Sequence, residues 1–186
     1  MTNREIFKAG PVAQVETRRD GERWTLVFVR ELRHAPEVVW QALTDPAQLR
    51  AWAPFDADRD LGRTGAATLT MAGDPDETRM PAEVVRAEPP RLLEYTWGED
   101  LLRWELAATA TGTRLTLQHS LADRGWMSRV AAGWHICIDV AERLLAGAPV
   151  GRIVGEEAKQ HGWERLEAVY ADRLGVASEG WPADVA

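Results

Sequence analysis

Several things that would narrow the function at once are missing from this chain. Its single cysteine, Cys137, has no internal partner for a disulfide. No apolar run approaches the roughly 18 to 20 residues needed to cross a bilayer, and Met1-Thr2-Asn3-Arg4-Glu5 opens no signal-peptide core. Basic residues are outnumbered, 22 against 29, for a formal charge of -7, so the electrostatic footprint of a binder of nucleic acid or anionic membrane is lacking. Neither partner is expected, and the cytoplasm is the expected location. Also absent are a G-x-S-x-G elbow, an H-E-x-x-H helix and a C-x-x-C pair, which removes the common hydrolase, zinc and redox routes. Phenylalanine and tyrosine are scarce, at three and two.

Against that scarcity stand nine tryptophans. A large flat surface with one N–H donor suits either a bulky core or the wall of a ligand pocket. At 186 residues and 45% hydrophobic, the chain can bury roughly two thirds of its unfolded surface without metals or disulfides.

After a polar lead-in, Val12 to Thr17 and Glu22 to Leu32 flank an Asp20-Gly21 pair, which predicts a hairpin. The parity of the second run is ambiguous, since Trp24, Leu26 and Phe28 compete with Val27 and Val29 for the inner face. Pro36 starts a short helix over Glu37 to Leu43. Asp45 caps and Pro46 starts a second, over Gln48 to Trp52. Period-two patterning then predicts antiparallel strands at 64–71, 80–88, 91–97, 100–108 and 112–119. Alternation sends Leu69 and Met71, then Leu93, Tyr95 and Trp97, then Leu102, Trp104 and Leu106, then Leu115, Leu117 and His119 to one face. Arg103, Glu105, Arg114, Thr116 and Gln118 go to the other.

Beyond Gly125 the period becomes helical, and Met127, Val130, Trp134, Ile138, Ala141 and Leu145 make the stripe of a long amphipathic helix. Gly147 to Gly155 reads as a linker. A further helix is expected over 156–174, with Trp163, Leu166, Tyr170 and Leu174 as its buried stripe and residues 175–186 as a loose tail. The simplest burial of these faces lays the long helix across a curved antiparallel sheet, an α+β arrangement in one domain over 1–174.

Four ordered blocks carry a resemblance. Pro36-Glu37-Val38-Val39-Trp40-Gln41-Ala42-Leu43-Thr44-Asp45-Pro46, Pro89-Pro90-Arg91-Leu92-Leu93-Glu94-Tyr95-Thr96-Trp97, Gly112 to Leu117 ending in His119, and Gly133-Trp134-His135 with Asp139 resemble the activator-of-Hsp90-ATPase-like branch of the START/Bet v 1 (SRPBCC) superfamily, over about residues 23–146. The resemblance implies a helix-grip fold, with a cavity between sheet and long helix in which relatives hold hydrophobic molecules. It names no substrate, because the superfamily includes binders, cyclases and co-chaperones. Co-chaperone members carry an extra N-terminal domain that the residues before the first block cannot supply, so an Hsp90-type partner is not expected. For the helix at 156–174 two readings stay open, a cap over the cavity or a homodimer contact.

The expected pocket draws Leu69, Met71, Tyr95, Trp97, Trp104, Leu106, Leu117 and His119 from the sheet. The long helix adds Trp134, His135 and Ile138, and the short helices with the segment after them add Trp40, Trp52 and Phe55. Both histidines read first as satisfied core residues. Second, both read as ligand contacts; third, His135, with Asp139 one turn on, and His119 are the candidates for proton transfer. Asp56, Asp58 and Asp60 alternate like a calcium loop, but the glycine comes one place late at Gly62 and position twelve is Ala67, so no metal is expected. No cofactor is expected, since the glycine run 147–155 lacks a P-loop Lys-Ser or Lys-Thr. Cys137 reads as a small core residue. The leading expectation is non-catalytic binding of a small hydrophobic molecule. The alternatives are a cyclase- or isomerase-type enzyme using a pocket histidine, and a protein-interaction or chaperone-accessory module.

Overall fold

The computed structural model describes residues 2–182. Its strands are β1 (Gln14–Asp20), β2 (Arg23–Leu32), β3 (Phe55–Ala57), β4 (Gly65–Met71), β5 (Arg79–Glu88), β6 (Leu92–Trp97), β7 (Asp100–Thr109) and β8 (Gly112–Leu121). They form one antiparallel sheet in the order β1-β2-β8-β7-β6-β5-β4-β3. Between β2 and β3 lie α1 (Pro36–Thr44) and α2 (Pro46–Trp52). A 3-10 turn over Arg124–Trp126 leads into α3 (Met127–Leu145), followed by α4 (Glu157–Gln160) and α5 (Trp163–Leu174). The curled sheet gripping α3 is the helix-grip arrangement. No helix among the described residues is long and apolar enough to cross a membrane.

Local chemistry sets the element ends. Asp45 accepts from the backbone N–H of Ala47 at 2.7 Å, and Pro46 opens α2. Gly21 takes the positive φ of the β1–β2 turn. Gly112 is required for a steric reason as well, because a Cβ there would stand 2.1 Å from the Leu32 carbonyl oxygen. A register shift between Val84 and Arg86 puts a bulge in β5, and bulges bend sheets.

The strand parities place the core. Leu69, Leu93, Tyr95, Leu102, Trp104, Leu106, Leu115, Leu117 and His119 are all buried. Arg103 on the opposite face pairs with Glu94 at 3.0 Å and Glu105 at 2.6 Å. Pairing resolves the ambiguous second strand: Leu26 lies opposite His119 and Phe28 opposite Leu117, so the even positions of β2 face inward.

Four features depart from the sequence expectation. The three-residue β3 is too short to carry a period. The helix expected over 156–174 is broken after α4 by His161 and Gly162, the latter at φ +91. The stretch 147–155 is a packed strap and not a free linker: Ile153 is buried, and Arg4 donates to the carbonyls of Val150 and Arg152, both at 2.9 Å. The polar lead-in is thus a clamp on that strap, with Phe7 edge-on to His161. Residues 175–182 are docked too. Ser178 donates to Glu167 at 2.6 Å, Arg129 to the Gly180 carbonyl at 2.9 Å, and Trp181 stands edge-on to Trp163 at 4.8 Å. The expected tail at 183–186 lies outside the described residues.

Candidate functional site

Tryptophans fill one half of the space between sheet and helix. Trp52 of α2 meets Trp104 of β7 edge-to-face at 6.2 Å, Trp104 meets Trp134 of α3 at 5.2 Å, and Trp134 meets Trp97 of β6 at 5.8 Å. Within this chain the Trp52 indole donates to the Ala42 carbonyl at 2.9 Å and the Trp104 indole to the Tyr95 hydroxyl at 3.1 Å. Burial raises the Tyr95 phenol well above its ordinary range, with the Trp104 N–H opposing, so that hydroxyl is neutral.

The other half is open. A cavity of about 180 Å³ lies beside α3, lined by Trp97, His119, Val130, Gly133, Trp134 and Cys137 on one side. Ile153, Val154, Gly155, Ala158, Trp163 and Trp181 close the other. A second cleft, of about 540 Å³, shares Trp97, His119 and Val130 with it, and reaches Met71, Met80, Asp100, Asp123 and Trp126. Those three shared residues are the partition between the two spaces.

Of the expected pocket residues, Trp97, His119 and Trp134 line the cavity and Met71 lines the cleft. Trp40, Trp52, Phe55, Leu69 and Tyr95 are packed into the core instead, as are Trp104, Leu106, Leu117 and Ile138. The tryptophan chain occupies the volume between them. His135 lies outside the cavity altogether. It is fully buried, with Nδ1 2.7 Å from the Tyr170 hydroxyl and its ring against Phe28. Its Nε2 is 3.1 Å from Asp139 Oδ2 but off the hydrogen-bonding direction. Asp139 bonds the Gly10 N–H and Arg30, each at 2.6 Å, and Tyr170 accepts from the Ala13 N–H at 3.0 Å. This cluster joins the N-terminal segment, β2, α3 and α5.

His119 has both ring nitrogens engaged. Nδ1 accepts from the Trp134 indole at 3.0 Å, which leaves the proton on Nε2, facing Asp100 Oδ2 at 3.1 Å. Asp100 is also bound by Arg23. In this arrangement neither nitrogen is free to take a proton from a bound molecule. The Cys137 thiol is pushed up to about 12 by burial, with Arg152 opposing, so it stands in the wall as a neutral apolar group.

Ala158 and Trp163 in the lining agree with the cap reading of 156–174, but sequence reasoning named none of the residues between 153 and 181 as wall, because nothing local marks which side chains of a segment that folds back will meet the cavity. Gly133 was legible in principle: a glycine inside a helix is unfavourable by about 0.5 to 1 kcal/mol against alanine, which asks for a reason. Here a Cβ would meet nothing within 4 Å, so the missing side chain is part of the open volume. The acidic residues 56–60 are turned to protein partners: Asp56 to Arg152, Asp58 to the Thr68 N–H and Asp60 to the Gly62 N–H.

Solved structures share the fold. A conserved protein of unknown function from Enterococcus faecalis superposes with a TM-score of 0.67 at 17% identity, covering 86% of this chain and 90% of that one. CalU16 from Micromonospora echinospora gives 0.62 at 22%, covering 86% and 95%. An AHSA1-like protein from Aeromonas hydrophila gives 0.57 at 19%, covering 67% and 93%. At these identities the likeness is one of fold. No curated protein matches the chain. Residues 33–146, from the end of β2 through α3, match the family described as Activator of Hsp90 ATPase homolog 1-like protein, and since that span is more than half of the chain, the protein belongs to this family.

Proposed function

We propose that the protein binds a small hydrophobic molecule in the cavity beside α3, without catalysing a reaction on it. The observation that carries this reading is the 180 Å³ space against Gly133 and Trp97, kept open although nine tryptophans were available to fill it. An apolar cavity of about 150 Å³ is large enough to hold benzene, so one or two fused rings suit this one. A longer molecule would continue past the Trp97–His119–Val130 partition into the cleft. Both nitrogens of His119 being engaged favours binding over proton transfer.

Native mass spectrometry of the purified protein is expected to show a co-purifying mass, or NMR titration with bicyclic hydrocarbons to shift resonances of α3. Gly133→Leu should lower affinity on the order of tenfold or more by filling the space, with the fold retained. Absence of any bound mass, together with no response to such compounds, sinks the proposal.

A further inference from the structure

The side chains of the cavity have an unbalanced hydrogen-bonding inventory. None of the lining residues is Asp, Glu, Lys or Arg. The Trp134 indole is engaged by His119 Nδ1, which in turn uses the only ring acceptor of that histidine. Two further residues of the wall, Trp97 and Trp181, have indole nitrogens that are shielded from any water-sized contact and have no hydrogen-bond partner. They come from opposite sides, Trp97 from β6 and Trp181 from the segment that closes over the cavity. A buried donor left unpaired is rare and unfavourable, and asks for an acceptor from elsewhere. The residues of the wall thus hold unpaired N–H groups that a turn of either ring would offer to a guest, and no charge with which to hold an ion.

We infer that the ligand is an uncharged, ring-sized apolar molecule bearing one or more hydrogen-bond acceptor oxygens, a ketone, quinone, ester or ether, which receive the indole N–H groups of Trp97 and Trp181 as those rings turn toward it. This rests on the cavity being a binding site and specifies what it selects. An anion is disfavoured twice over, because the cavity has no cation and the adjoining cleft has Asp100 and Asp123 on its wall. A pure hydrocarbon fills the space but leaves both donors unpaired.

Indane and 1-indanone test the inference, since they share a bicyclic shape and differ by one carbonyl. A cavity without free donors prefers indane, because the carbonyl gives up its hydrogen bonds to water on entry. Here 1-indanone is expected to bind on the order of tenfold tighter. It should also move the indole N–H resonance of Trp97 or Trp181 downfield, with assignments from Trp97→Phe and Trp181→Phe. In at least one of these variants the preference ratio should fall to about one or below. The Trp134 indole resonance, held by His119, reports that each variant is folded.

Equal or tighter binding of indane overturns the inference and leaves the cavity as a binding site. So does a preference for 1-indanone that survives in both phenylalanine variants without an indole shift. If neither compound binds, the site proposal itself fails, and this inference with it.

Discussion

His119 and His135 stand in two regions that the same helix separates, and the contrast explains how α3 serves both stability and binding. Around His135 most polar groups bond within the protein: Tyr170, Asp139, Arg30 and the Gly10 and Ala13 backbones join in one cluster, with His135 Nε2 and Arg30 Nε left unpaired. Around His119 the histidine itself is satisfied, but its neighbour Trp97, a residue that lines open volume, keeps an unpaired N–H. One face of α3 is a clasp that fastens the chain's two ends. The other is a wall. Completeness is not what separates the two, since each keeps unpaired buried atoms; those of the His135 cluster lie among packed polar groups that tie segments together, whereas that of Trp97 belongs to a residue lining open volume.

The sharpest way to break this contrast is Asp139→Ala, which takes the carboxylate from the largely buried Arg30 guanidinium, leaving it the Pro11 carbonyl, and the acceptor from the Gly10 N–H. It should lower stability by about 3 to 5 kcal/mol, read from the shift in denaturant midpoint; a small loss would show that the clasp is decorative. Tyr170→Phe is expected to follow at about 1 to 3 kcal/mol, since it deprives Ala13 and His135 of their partner.

The same phenol sharpens the comparison through pH. Burial, first of all, pushes Tyr170 up to about 12 from an ordinary value of 10.0. A raised folded-state value means the folded protein keeps a proton that the unfolded chain loses. The stabilisation is complete below pH 10 and is lost as pH rises towards 12. Wild-type stability should therefore fall across that window, and Tyr170→Phe should flatten the slope.

On the wall side the effects on stability are smaller and reversed in sign. Gly133→Ala should raise stability by about 0.5 to 1 kcal/mol, because the methyl enters space and the helix gains propensity; a loss would mean that the space is filled. Last, Cys137 should resist alkylation at pH 8 in the folded protein, its thiol being neutral with a value of about 12. Rapid modification would show that the wall opens.

Much of this was legible along the chain, and particular residues show where legibility stopped. Period two correctly sent Trp97, Trp104 and His119 to one face, since strand parity is a property of the backbone. It did not tell which of them would meet another ring and which a void. Helical spacing correctly set His135 beside the stripe of α3, but an angular offset of one residue decides between cavity and clasp. Trp181 was unreadable, because an aromatic residue in a Gly- and Ser-containing terminus has no period to reveal its partner. The β2 parity was undecidable until pairing with β8 selected Leu26 and Phe28.

By itself, the order of residues determined the alternation of the strands, the caps of the short helices, the stripe from Met127 to Leu145 and the family to which they belong, because each is written in neighbours a few positions apart. Only the tertiary structure decided where space remained. A cavity is what is left after distant segments have packed, and here residues 147–182 closed it from the far side while the tryptophan chain filled its other half.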